Sequence, residues 1–183
     1  MKKVYFLMAG CIALMSCNSN SGDQNSTKDT SATAQVKPVA PTEIGDSKYS
    51  DMVKKSGDQL LSGDVDGWMT QYADSAVYRW SSGDSLHGKA AIAKYWKDRR
   101  ANVIDSLSYL DRVYLSVKVN QPTSAAVTPG NWVLEWLFIK VKYKTKKQIM
   151  FWEHIDYHFD ANDKVDGAIV YVDRAPIYAA TKK

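Results

Sequence analysis

Met150-Phe151-Trp152-Glu153-His154-Ile155-Asp156-Tyr157-His158-Phe159 carries the two-residue alternation of a β-strand. Successive strand side chains point to opposite faces. One face therefore holds Phe151, Glu153, Ile155, Tyr157 and Phe159, and the other Met150, Trp152, His154, Asp156 and His158. Asp160-Ala161-Asn162-Asp163 supplies turn residues. Val165 to Val172 reads as a second strand, stopped by Pro176. The pair predicts a long hairpin with one mostly apolar face, which earlier helices must cover.

Working outward, Asn131 to Lys144 is apolar on both faces, as for a central strand covered on each side. Its core face is assigned to Trp132, Leu134, Trp136 and Phe138, because Glu135 then points outward. Lys144-Thr145-Lys146-Lys147 forms the hairpin tip, and Gln121-Pro122-Thr123-Ser124 turns the chain one strand earlier. Before that turn, Leu107, Tyr109, Val113, Leu115, Val117 and Val119 alternate with polar partners along a long strand. Ala76 to Trp80 reads as a first strand, turned by Ser81-Ser82-Gly83-Asp84. Tyr49, Met52, Val53, Leu60 and Leu61 recur at helical spacing, with Asp46 or Ser47 as cap and Gly63 as stop. Asp64 caps a short second helix lined by Val65, Trp68, Met69 and Tyr72. Gly88 opens a third, whose stripe is Ile92, Tyr95, Trp96 and Arg99. Helices gathered before a meander predict an α+β fold: a curved antiparallel sheet shaped as a cone, with helices on its concave face. Such a cone leaves a cavity between sheet and helices.

The chain has 183 residues, enough for one domain of ordinary size, and carries six Trp and eleven Tyr. The formal net charge is +4, of which Lys2 and Lys3 contribute two. That balance offers no electrostatic case for nucleic acid. Lys2 and Lys3 form a positive start, and Val4 to Met15 an apolar run too short to span a bilayer. Leu14-Met15-Ser16-Cys17 then resembles the lipobox of bacterial lipoproteins. The resemblance implies cleavage before Cys17, lipidation of that residue, and an address in the bacterial cell envelope, at the outer membrane or facing the periplasm. An ordinary secretory signal with an incidental Cys is the alternative. No Cys follows residue 17, which excludes a disulfide, a thiolate nucleophile and a Cys-type zinc site in the remainder. Residues 18–45 are mostly Ser, Asn, Thr, Asp, Gln and Ala with two prolines, a tether composition. The expected division is therefore 1–17 signal, 18–45 tether, 46–178 folded domain and 179–183 tail.

Gly63-Asp64-Val65-Asp66-Gly67-Trp68, leading to Tyr72-Ala73-Asp74-Ser75-Ala76-Val77, resembles the opening of the nuclear transport factor 2-like superfamily. His87-Gly88-Lys89-Ala90-Ala91-Ile92 resembles its helix start. Phe159-Asp160-Ala161-Asn162-Asp163-Lys164-Val165 resembles its hairpin, with Asp163 where Gly is usual. Tyr171-Val172-Asp173 is similar to a frequent ending of SnoaL-like members. The resemblance implies a cone-shaped roll and is silent on activity, since the superfamily hosts enzymes and non-enzymes. The ketosteroid isomerase positions fall on Ser56, Trp80 and Ile155, which cannot supply the same chemistry. The Asp–Arg–Asp set of limonene-epoxide-hydrolase relatives finds no matching spacing.

Glu153 is the sharpest candidate. Among Phe151, Ile155 and Trp80 it would feel desolvation and become an acid, a base or an anchor for an amine. Otherwise it sits at the cavity mouth or pairs with Lys140 or Arg99. Tyr157 or Tyr78 would be its catalytic partner. Tyr72, Tyr78, Trp80, Trp96, Trp136, Glu153 and Tyr157 are the candidate cavity lining, with Trp132 as core filling. His154, Asp156 and His158 share the opposite face, where a metal or a homodimer interface could lie; the implied convex face favours the dimer. His87, before Gly88 at a helix start, is expected to bond locally, with a catalytic role as the alternative. Arg99, Arg100 and Lys142 to Lys147 are solvated charge, or the rim of a mouth for an anionic ligand. The favoured expectation is a lipid-anchored domain holding a small, partly apolar molecule, without a cofactor. The alternatives are a lyase, isomerase or hydrolase using Glu153, and a dimeric scaffold with a filled cone.

Overall fold

The structure is a computed structural model describing residues 38–182. The expected signal, Cys17 and residues 18–37 of the expected tether lie outside the described residues. Seven strands form one open sheet: β1 (Thr42–Ile44), β2 (Tyr72–Trp80), β3 (Ser85–His87), β4 (Ile104–Val119), β5 (Gly130–Tyr143), β6 (Gln148–Phe159) and β7 (Val165–Tyr171). Their spatial order is β1-β4-β5-β6-β7-β2-β3. All neighbours are antiparallel except β2 and β7, which run parallel, so the sheet is mixed. The helices are α1 (Ser47–Ser62), α2 (Val65–Met69), α3 (Lys89–Asp98) and α4 (Ala175–Thr181); a π-helical turn, Arg99–Val103, joins α3 to β4. α1 lies over β4 and β5, and α3 over β2. The α+β cone read from the sequence is thus present.

The helix ends follow ordinary capping chemistry. The Asp46 carboxylate accepts from Lys48 N at 2.9 Å and opens α1. Gly63 closes it in the left-handed region, at φ 87°, where its N–H reaches back to the Gln59 and Leu60 carbonyls. Asp64 caps α2 by accepting from Gly67 N at 2.8 Å. Asp163 occupies the hairpin position with φ 56°, a conformation that glycine adopts more easily. The carboxylate is used: it accepts from Tyr49 Oη at 2.6 Å and pairs with Lys48 at 2.9 Å, tying the hairpin to α1.

Three expectations are corrected. First, β5 buries the other face. Val133, Glu135, Leu137, Ile139, Val141 and Tyr143 are buried, whereas Trp132, Leu134, Trp136 and Phe138 lie on the convex side and keep some exposure. The β6 register enforces this, pairing Val133 with Tyr157, Glu135 with Ile155 and Leu137 with Glu153. On the convex side Trp132, Trp136 and Phe138 meet His158, His154 and Trp152, with ring centroids 4.8, 4.6 and 5.2 Å apart. Second, β4 changes face midway. Tyr109 pairs with Ile139 but Asp111 with Phe138, so Leu110 is an extra, bulged residue. Tyr109 therefore faces inward, while Val113 and Leu115 turn outward and Tyr114 and Ser116 turn in. Third, the folded part begins and ends outside the expected limits. β1 adds to the edge of β4 through Thr42↔Val119 and Ile44↔Val117, with exposed side chains throughout. Pro176 sits in the first turn of α4, which runs across the expected boundary and buries Ala180.

β1 depends on close backbone approach at Gly45, whose N–H donates to the Ser116 carbonyl at 2.8 Å. A Cβ there would stand 2.9 Å from the Val117 carbonyl carbon. Gly45→Ala should loosen β1 at a cost of about 1 kcal/mol, lowering Tm by roughly 3 °C. Faster amide hydrogen exchange at position 45, with unchanged exchange in β5 and β6, is the measured signature.

Candidate functional site

The concave face of β5 and β6 is closed over by α1, α2 and α3. Between them is a cavity of about 60 Å³ bordered by Leu60, Trp68, Tyr78, Trp96, Arg99, Tyr109, Glu135, Glu153 and Tyr157, among others. Tyr78, Trp96, Arg99 and Glu153 also border an adjoining hollow of about 50 Å³, which extends to Trp80, Tyr95, Arg174 and Tyr178. The aromatic walls brace one another edge to face. Trp96 meets Trp68 at 5.7 Å, and Tyr78 meets Trp80 at 5.0 Å. α4 covers this end of the cone. Arg174 pairs with Asp84 at 2.5 Å and lies over the Trp80 ring at 5.1 Å. Thr145 and Lys147 donate to the Ala180 and Ala179 carbonyls at 2.7 and 2.9 Å.

Two acids face this interior from adjacent strands. Glu135 is 2% exposed and accepts from Tyr157 Oη at 3.1 Å. Burial pushes its pKa up to about 7, against the opposing hydrogen bond of Tyr157 and the charge of Arg112. Glu153 makes no hydrogen bond or ion pair among the described residues. Its remaining open surface borders the two hollows, deep among protein atoms. Burial raises its pKa to about 8; the charge of Glu135 adds to the rise and Arg99 opposes it. The cross-strand diagonal, with Glu135 opposite Ile155 and Glu153 opposite Leu137, explains the mutual effect. Tyr78, Tyr109 and Tyr157 are raised well above their ordinary value by burial, so they act as neutral donors. Trp96 Nε1 is buried without a hydrogen-bond partner.

The structure brings Tyr78, Trp96, Glu153 and Tyr157 to the main cavity and Trp80 to its extension. Tyr72 packs edge-on against Trp68 at 5.1 Å and is not among the side chains bordering either hollow. Trp136 is on the opposite face of the sheet, so its assignment to the cavity lining is corrected. Glu135 was missed because a lone carboxylate in an apolar run reads as the outward marker. The usable signal was its parity with Val133, Leu137, Ile139 and Val141, an all-aliphatic set. Ser56 donates to the Val53 carbonyl at 2.9 Å. His87 bonds Ser85 at 3.0 Å.

On the convex face, His154 bonds the Glu135 carbonyl at 2.9 Å and lies 2.7 Å from the Asp156 carboxylate, and His158 bonds Asp166 at 2.5 Å. The two histidines therefore have separate partners. Among the described residues, no group of three His, Cys, Asp or Glu gathers as metal ligands. A larger hollow, about 160 Å³, opens beside Trp132, His158 and Asp166. It lies across the sheet from the acid pair, and His158 is already engaged by Asp166 and, at 3.1 Å, by the Pro129 carbonyl.

No protein-family model and no curated protein matches the sequence. Solved structures do match in three dimensions. A nuclear transport factor 2-like protein from Burkholderia pseudomallei superposes with a TM-score of 0.61 at 11% identity, over 75% of this chain and 100% of that one. The fold is that of the nuclear transport factor 2-like superfamily. A ketosteroid isomerase-like protein from Catenulispora acidiphila, solved with trimethylamine, has a TM-score of 0.53 at 10% identity, over 72% and 92% of the two chains. TerC, co-crystallised with polyporic acid, has a TM-score of 0.57 at 10% identity, over 74% and 98%. At such identities these are likenesses of a nuclear transport factor 2-like fold, and the chemistry has to be read from this chain's own side chains.

The acid pair makes stability depend on pH. Unfolded, both carboxyls ionise near 4.5; folded, they keep their protons to about 7 and about 8. Below the unfolded value both states are protonated and neither acid imposes a penalty. As pH rises from there to about 8, the unfolded chain releases its protons first and the folded state loses ground. The wild type should lose about 6 kcal/mol more between pH 5 and pH 9 than the Glu135→Gln/Glu153→Gln double variant. Thermal melts should show this as roughly 20 °C of extra decline.

Proposed function

We propose that this chain binds a small, partly apolar molecule inside the cone and exchanges a proton with it through Glu153. The supporting observation is the pair of acids on one aromatic-lined cavity, without a cation in direct contact with Glu153. Burying two carboxyls is costly, and a wall serving packing alone would be more stable with leucine at both places. Their pKa values, about 7 and about 8, lie where acid–base exchange is efficient near neutrality. The solved neighbours include one with an amine and one with an acid, so the fold accommodates either and does not choose between them.

A catalytic reading rests on the same groups. Glu153 would donate a proton to the ligand, Glu135 would accept one, and Tyr157 would hold Glu135 in place. The reaction class is then isomerisation, elimination or hydrolysis of a small molecule. Native mass spectrometry of the purified protein should show a low-mass molecule lost on denaturation. Glu153→Gln should reduce any turnover of that molecule at least ~100-fold while leaving it bound. Unchanged turnover in the variant would eliminate the catalytic reading and leave the binding one. The same spectra give the subunit count, which should be two if the exposed Trp152 and partly exposed Trp136 and Phe138 form the homodimer face.

The anchor is proposed from the sequence alone. Leu14-Met15-Ser16-Cys17 supports lipidation of Cys17 and tethering to an envelope membrane. Metabolic labelling with radioactive palmitate in a bacterial host should mark the wild type, and Cys17→Ala should lose the label and stay in its unprocessed, heavier form.

A further inference from the structure

Five arginines belong to the elements around the cavity; Arg79 borders the hollow on the opposite face of the sheet, and three of the other four have polar partners. Arg100 donates to the Leu61 carbonyl at 3.0 Å. Arg112 pairs with Asp58 at 2.6 Å. Arg174 pairs with Asp84 at 2.5 Å. Arg99 has neither a hydrogen bond nor a carboxylate partner among the described residues; it stands over the Tyr95 ring, 5.6 Å from its centre. It opens the π-helical turn Arg99–Val103, a kind of irregularity that recurs at functional sites. Its side chain borders both hollows, as does Glu153.

A guanidinium does not lose its proton in a protein, so its charge must be met by solvent, by a carboxylate or by a ligand. Glu153 is the acid that shares both hollows with it, and the two are not in direct contact. We infer that Arg99 receives the carboxylate of a small ligand with an otherwise apolar body, and that the Glu153 carboxyl donates a hydrogen bond to the same group. This deepens the small-molecule reading above and rests on it. Trp96 and Tyr78 would hold the apolar body, and cavities of about 60 and 50 Å³ restrict it to a few heavy atoms.

The arrangement makes binding compete with ionisation. The groups facing Glu153 are Arg99 from the π-helical turn, Glu135 and Tyr143 from β5, Tyr78 from β2, Tyr109 from β4, Tyr157 from β6, Tyr95 from α3 and Arg174 at the mouth. While Glu153 keeps its proton, up to about pH 8, the charge of Arg99 is open to an anion. Above that, the Glu153 carboxylate neutralises Arg99 and repels the ligand. Affinity for a carboxylate therefore falls as pH rises, whereas an ammonium ligand would bind better as the acids ionise.

The test uses three probes of one shape and different charge: isobutyrate, isobutylamine and isobutanol. Each is titrated into the purified protein at pH 6 and pH 9 and followed by NMR shifts of cavity residues. Isobutyrate should bind at pH 6 at least ~10-fold tighter than isobutanol, and lose at least ~10-fold by pH 9. Arg99→Gln should bring isobutyrate down to the level of isobutanol, and Arg99→Lys should retain part of the preference. Glu153→Gln, which keeps a donor but cannot ionise, should lose markedly less isobutyrate affinity between the two pH values than the wild type, the remainder coming from Glu135. A preference for isobutylamine, or isobutyrate binding unchanged in a folded Arg99→Gln protein, overturns the assignment of charge. Binding of none of the three overturns the cavity reading itself.

Discussion

The pairing of β5 with β6 puts two acids one pleat apart on the concave face, and the rest of the interior answers to that placement. Opposite residues in an antiparallel ladder share a face, so Glu135 comes inward with Ile155, and Glu153 with Leu137. A shift of β5 by one residue would send Glu135 to the convex side, away from Glu153, and bring Trp132, Leu134, Trp136 and Phe138 in. The ladder prevents this through twelve paired positions from Asn131↔Phe159 to Lys142↔Gln148. Strain in the electrostatics is thus held by main-chain hydrogen bonds, which do not depend on which side chains they carry.

The surroundings moderate the cost without removing it. Tyr157 gives Glu135 one hydrogen bond, and Arg112 acts on it from a distance while paired with Asp58. Glu153 receives no hydrogen bond among the described residues, and the charge of Glu135 works against the distant charge of Arg99, so burial holds its proton to the higher pH of the two. Two irregularities of the chain serve this region. The bulge at Leu110 turns Tyr109 inward before it and Tyr114 inward after it. The π-helical turn carries Arg99 to the junction of the two hollows. α4 then closes the wide end, held at Arg174, Thr145 and Lys147.

Much of this was legible in local pattern. Asp46 and Gly63 mark the ends of α1 because capping is decided within a few residues. The hairpin from Met150 to Val172 shows because strand alternation and turn chemistry are also local, and its inward set of Phe151, Glu153, Ile155, Tyr157 and Phe159 follows from it. The parity of β5 was only weakly legible, since both of its faces are apolar and a lone Glu135 argued against the aliphatic set of Val133, Leu137, Ile139 and Val141. β1 was hidden for a different reason. Its attachment rests on backbone bonds and on the missing Cβ of Gly45, so composition alone assigned it to a tether.

By itself, the order of residues determined α1 to α3, the strands β2 and β4 to β7, the caps of α1 and α2, the α+β class and the inward position of Glu153, because each follows from neighbours in the chain. Tertiary structure alone decided that Glu135 joins Glu153, that Trp136 lies across the sheet, and that Arg99 faces both hollows unpaired. Those facts depend on register, a bulge and a helical irregularity, which bring together side chains from β5, β6 and the turn after α3. Contacts between such distant segments are set by how backbones pair and pack, and no periodicity within one segment encodes them.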